Sequence, residues 1–168
     1  MKKVWIPKES EVINQRIEYE INNLLENESI AFTDGSYSKK LNKSAYGVVM
    51  FAPEKEIYCK SFSYSKQSHR PILNLCSVGA ECEAVKFAIK KSIEKGMSSL
   101  SIYYDYDGIY KLLNREWTAN NSYIESFVDE VLKYSKEIKL KFNKIKSRKG
   151  IHYNEMVDNI AASALFKP

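Results

Sequence analysis

The chain has little of what staples or interrupts a fold: 3 cysteines, 4 prolines and 6 glycines in 168 residues. So few Gly and Pro, beside 44% hydrophobic residues, exclude collagen-like, low-complexity and disordered chains. Cys59, Cys76 and Cys82 cannot all pair with one another, and no Cys-x-x-Cys occurs. Cys76, Cys82 and a histidine could be imagined around zinc, but none has ligand spacing, so ordinary buried thiols are expected. Long apolar runs are missing too. The longest, Val48-Val49-Met50-Phe51-Ala52, is far short of a membrane span. After Met1-Lys2-Lys3 come Trp5, Pro7 and charges rather than an apolar core, so no secretory leader is expected and a cytoplasmic protein is the reading.

What is present is enough for one domain with a core of its own, and too little for two comfortable ones. The net charge of +5 only permits nucleic-acid binding. Its placement is more informative: Lys133, Lys136, Lys139, Lys141, Lys144, Lys146, Arg148 and Lys149 crowd one late segment.

Periodicity divides the chain at about residue 28. Ile13, Ile17, Ile21, Leu24 and Leu25 recur at helical spacing, predicting an amphipathic helix over 9–26 within an N-terminal extension, 1–28. Residues 29–38, 46–51 and 56–64 predict three strands joined by short polar connectors, hence an antiparallel meander. The segment 65–76 holds Pro71 and no periodicity and is expected to be loop. A helix follows over 78–95, stopped by Gly96. Then come a strand over 98–104, helices over 107–113 and 120–136 about the loop at Trp117, a strand over 138–145 and a helix over 154–166. Asn154 is the candidate N-cap of that helix. This order, in 29–168, implies an α/β domain with a mixed sheet covered by helices.

Four acids stand out by position. Asp34 ends the apolar strand segment Ile30-Ala31-Phe32-Thr33, where bare charge is costly; an Asp-Gly turn is the plainer alternative. Glu81 shares a helical face with Ala84, Val85 and Ala88, whereas Glu83 lines up with Lys86 and Lys90 on a solvated face. Asp105 closes the strand at 98–104, and α/β sheets collect ligands at such ends. Asp107 suits the following turn. Asp158 flanks the apolar stripe of Val157, Ile160, Ala161, Ala164 and Leu165, either as a metal ligand or as an acid favoured by the helix dipole. Clustered carboxylates raise one another's pKa unless cations lie between them. Hard oxygen donors suit Mg²⁺ or Mn²⁺, and two such ions about 4 Å apart serve phosphodiester hydrolysis.

Thr33-Asp34-Gly35-Ser36, Glu81-Cys82-Glu83-Ala84, Tyr104-Asp105-Tyr106-Asp107-Gly108-Ile109 and Asn154-Glu155-Met156-Val157-Asp158-Asn159-Ile160-Ala161 together resemble the type 1 ribonuclease H family, in its order and at about its spacing. The resemblance implies a ribonuclease H-like five-stranded mixed sheet of order 3-2-1-4-5, the first three strands antiparallel. It also implies hydrolysis of the RNA strand of RNA–DNA hybrids to 5′-phosphate and 3′-hydroxyl ends with two Mg²⁺, Mn²⁺ being a substitute. Asp34 would bridge both ions, Asp158 would hold the one that activates water, and Glu81 and Asp105 the other. Gly35, Ser36, Ser77, Lys146, Arg148 and Asn154 would meet the hybrid; no membrane or obligate protein partner is implied. The chain departs from the family's usual pattern in three places. Ser77 stands where many members have a minor-groove Asn, Arg148 where the loop usually has His, and a short stretch around Trp117 replaces the basic protrusion of some bacterial members. A hybrid-binding module that cleaves poorly, and a junction resolvase or integrase core, are the other readings of such a fold. Retention of all four acids argues against the first, and the motif from Asn154 to Ala161 against the second.

Overall fold

The computed structural model describes residues 8–114, 121–147 and 149–168, and only the backbone of Asp107. Trp117 and Arg148, singled out above, lie outside the described residues, as does Asn120 at the start of one expected helix. Strand β1 (Glu28–Ser38) is buried from Ser29 through Asp34, on both of its faces, and this places it inside the sheet. On one side β1 pairs antiparallel with β2 (Lys43–Ala52), which pairs antiparallel with the edge strand β3 (Glu56–Tyr64). On the other side it pairs parallel with β4 (Ser99–Tyr104), which pairs parallel with β5 (Lys139–Lys144). The order is therefore β3-β2-β1-β4-β5, as the resemblance implied. Parallel neighbours need crossovers, and helices supply them.

Helices α3 (Cys76–Glu94), α4 (Asp107–Leu113) and α5 (Ser122–Tyr134) enclose one apolar core with Ala31, Val48, Met50, Leu100 and Ile102. Helices α1 (Glu9–Asn22) and α6 (His152–Ala164) enclose a second, on the opposite face, around Ile30, Phe32, Val49, Phe51 and Tyr103. Gly96, with φ +77°, ends α3 as expected.

Several expectations are corrected. The segment 65–76 is not plain loop: a turn of 3₁₀ helix over Gln67–His69 leads into the short helix α2 (Arg70–Leu73), and α3 already starts at Cys76. Pro71 occupies the first turn of α2, where its missing N–H costs nothing. Asn154 is not the N-cap of α6; Ile151 is, so Asn154 lies inside the first turn with its side chain free for another task. Helix α1 also ends at Asn22, short of Leu24 and Leu25, and of the three cysteines Cys82 is buried as expected while Cys59 and Cys76 are exposed. No described helix is long and apolar enough to cross a membrane.

Candidate active site

Two glycines decide how closely the helices approach the middle of the sheet. Gly35 faces α3. A Cβ there would lie 2.3 Å from the Ser77 carbonyl oxygen and 2.7 Å from the Glu81 nitrogen, so only hydrogen fits. Gly47 is the antiparallel partner of Asp34 and faces α6, where a Cβ would lie 2.7 Å from the Val157 carbonyl oxygen and 3.0 Å from the Ala161 nitrogen. Helix α3 thereby brings Glu81, and α6 brings Asp158, against the end of β1 that carries Asp34. Parallel pairing of β1 with β4 brings Asp105, just beyond β4, to the same end of the sheet. The structure thus gathers Asp34, Glu81, Asp105 and Asp158 from four separate elements.

Their electrostatics follow from burial. Asp34 is buried, and its carboxyl is pushed up to about 10 by desolvation first, then by the charges of Glu81 and Asp105 and by a hydrogen bond and charge from Asp158. Glu81 is 2% exposed, and burial and Asp105 push it up to about 8 against the hydrogen bonds it receives. Among those, the Thr33 hydroxyl donates to Glu81 Oε1 at 3.2 Å. Asp105 is half-buried and accepts from Asn154 Nδ2 at 3.3 Å, while Asn154 Oδ1 is buried with no partner among the described residues. Asp158 is exposed, on the open side of the group. Among the described residues, no group of three or more His, Cys, Asp or Glu side chains is arranged so that it could hold a metal ion as it stands. The four acids form an open set of hard oxygen donors around one costly buried carboxyl, which suits a hydrated divalent ion and not a caged zinc.

Glu83 points elsewhere. It pairs with Lys86 at 3.2 Å, and Lys86 in turn meets Glu130 at 3.3 Å. At 18% side-chain exposure this is a partly buried ion-pair network rather than the solvated face expected.

The residues expected on the substrate divide. Ser77 is exposed at the start of α3, beside Gly35, and Ser36 lies half-buried on β1. Gly35 is required for the close approach of α3 whatever else it touches. Lys146 is exposed and pairs with Glu9 of α1 at 3.5 Å. Asn154 is 3% exposed and turned to Asp105. Sequence reasoning gave Thr33 no role; its alternation with Asp34 along β1, which turns it to the helix bearing Glu81, was the available signal.

Residues 32–163 match the reverse transcriptase-like family. No curated protein sequence matches the chain. Among solved structures, ribonuclease H1 from the halophilic archaeon Halobacterium salinarum shares 17% identity at a TM-score of 0.65, over 82% of this chain and 97% of that one. The N-terminal ribonuclease H domain of a Mycobacterium tuberculosis protein, determined as a fusion with maltose binding protein, gives 10% and 0.66 over 82% and 93%. The LC11 ribonuclease H1, from compost metagenome, solved in complex with an RNA/DNA hybrid, gives 17% and 0.61 over 82% and 99%.

Proposed function

The chain belongs to the reverse transcriptase-like family and has the ribonuclease H fold, and from that premise we propose that it is a metal-dependent endoribonuclease acting on the RNA strand of RNA–DNA hybrids. The observation that carries the proposal is the buried Asp34 carboxyl, with Glu81 brought to it from α3, Asp105 from just beyond β4 and Asp158 from α6. Bearing on it are the ribonuclease H neighbours, one of them solved with a hybrid.

The surroundings of each residue support a task for it. Asp34 would be the central carboxylate of a site for divalent ions, two Mg²⁺ on this reading, Mn²⁺ being an alternative. Asp158, at the open side, would hold such ions together with Glu81 and Asp105. When bound, such ions lower the pKa of water and neutralise the leaving oxygen, giving 5′-phosphate and 3′-hydroxyl ends. Thr33 fixes the Glu81 carboxylate and Asn154 that of Asp105, so both are aimed before substrate arrives. Ser77 and Ser36 border the acids, where they would meet the minor groove and its 2′-hydroxyls. Lys146, Arg148 and Lys149 would meet phosphate.

The test is a panel of labelled RNA–DNA hybrid, double-stranded RNA, double-stranded DNA and a four-way junction, each with Mg²⁺ and then with EDTA. Cleavage of the hybrid's RNA strand alone, abolished by EDTA, is expected. Cutting of the junction or of either homoduplex in preference would refute the substrate assignment.

A further inference from the structure

Helix α6 carries Asp158 and Asn154, yet it starts without a cap of its own. Its N-cap, Ile151, is apolar and makes no side-chain capping bond, where Ser, Thr, Asp or Asn is the usual choice. The missing acceptor comes from α1. Asn14 Oδ1 accepts the His152 N–H at 2.9 Å, and Asn14 Nδ2 donates to the Gly150 carbonyl at 2.8 Å. One side-chain amide therefore ties down the chain on both sides of Ile151. Only an amide side chain combines donor and acceptor in this way among residues of its length.

Other contacts fix α1 in that place. Ile17 and Ile21 are buried with Ile151 and Val157 in one apolar cluster. The Tyr153 hydroxyl donates to Glu18 Oε1 at 2.6 Å, and Lys146 pairs with Glu9. Gly150 has φ +80°, and its N–H donates to Glu155 Oε1 at 3.2 Å, which closes the same turn. The first turn so held is the one from which Asn154 reaches Asp105.

We propose that Asn14 is a positioning residue of the active site: the N-terminal helix caps the catalytic helix and thereby sets Asn154, Asp105 and the basic loop leading into α6. The proposal rests on the reading of Asp34, Glu81, Asp105 and Asp158 as a metal site. It differs from a cover helix that merely adds buried area, because a cover acts on the whole fold and not on one turn.

The full-length chain is compared with Asn14→Ala, with Asn14→Asp, and with Ile21→Val, which trims α1 packing without touching Asn14. Amide exchange at His152 and Glu155 is read in metal-free protein, and Mn²⁺ affinity by electron paramagnetic resonance. Loss of a cap predicts exchange about fivefold faster at those two amides in Asn14→Ala. Mn²⁺ binding is expected to weaken about threefold, less than the roughly tenfold or more that losing a group bonded directly to a ligand costs, because Asn14 acts through Asn154. Asn14→Asp keeps the acceptor and loses the donor, so it falls between. Ile21→Val lowers the melting temperature with Mn²⁺ affinity unchanged. Asn14→Ala with unchanged Mn²⁺ affinity, or with the Ile21→Val pattern, would overturn the proposal. Mn²⁺ affinities that separate as expected, in a protein that cleaves no hybrid, would support Asn14 and refute the substrate reading. Absence of Mn²⁺ binding by the parent protein would overturn the metal site itself, and the proposal with it.

Discussion

Replacing Asp34 by asparagine should stabilise the metal-free protein, and do so most at alkaline pH. Asp34 is pushed from 3.8 to about 10 by burial and by Glu81, Asp105 and Asp158. A carboxyl with a raised folded-state pKa holds its proton better when folded, so its contribution to stability falls as pH rises from about 4 towards 10. Asparagine has the same shape and nothing to ionise. A tenfold change in proton affinity corresponds to about 1.4 kcal/mol, which sets a ceiling of about 6 kcal/mol at pH 8. Water reaches the group from the exposed Asp158 side, and an effective dielectric near 20 reduces the gain to about 2 kcal/mol. That corresponds to a rise of about 6 °C in melting temperature for a domain of this size. At about pH 5 the two proteins should differ by well under half as much. Urea unfolding of both proteins in EDTA, at the two pH values, reads the difference directly. An equal gain at both pH values, or a loss at pH 8, would refute the electrostatic account of the cluster.

Glu81→Gln should remove most hybrid cleavage and Glu83→Gln little, since Glu83 is held by Lys86; single-turnover rates of the two variants decide it, and the reverse order would mean the wrong glutamate faces the site. Gly47→Ala places a Cβ 2.7 Å from the Val157 carbonyl, so α6 must lift from β2. Cleavage should fall about a hundredfold, as about 1 Å of misplacement costs, and a rate near that of the parent would show that α6 need not sit where it does. Binding to a non-cleaved hybrid should weaken steeply with salt and hardly vary with base sequence, because the expected contacts are to phosphate and sugar; titrations at several salt concentrations on randomised hybrids test both. Arg148 stays protonated where a histidine could shed its proton. Arg148→His is therefore expected to raise multiple turnover more than single-turnover cleavage, and equal rates before and after would show that the loop has no part in product release.

The sheet was legible because its strands are marked by apolar runs and its turns by short polar connectors. Glu81 was legible for the same reason: three small or apolar partners at helical spacing define a face, and an acid among them has to be buried. Helix α2 escaped because four residues show no period, and Asn154 was misplaced because an Asn before an apolar stripe signals a cap by local rules alone. What overrode the rule is tertiary: Ile151 is buried in the α1–α6 core and Asn14 supplies the cap from far along the chain. The same holds for Thr33 and Asn154 as supports of Glu81 and Asp105, which depend on pairings between distant elements that no local spacing encodes.

Asp34 as the central carboxylate of a hydrolytic metal site is tested most directly by the cleavage products. A hybrid with its RNA strand labelled at either end is incubated with the parent protein and with Asp34→Asn under single-turnover conditions in Mg²⁺, and the new termini are mapped. The parent should leave 5′-phosphate and 3′-hydroxyl ends, and Asp34→Asn, folded and more stable without metal, should leave the strand intact. Products ending in a 2′,3′-cyclic phosphate, or undiminished cleavage by Asp34→Asn, would contradict it.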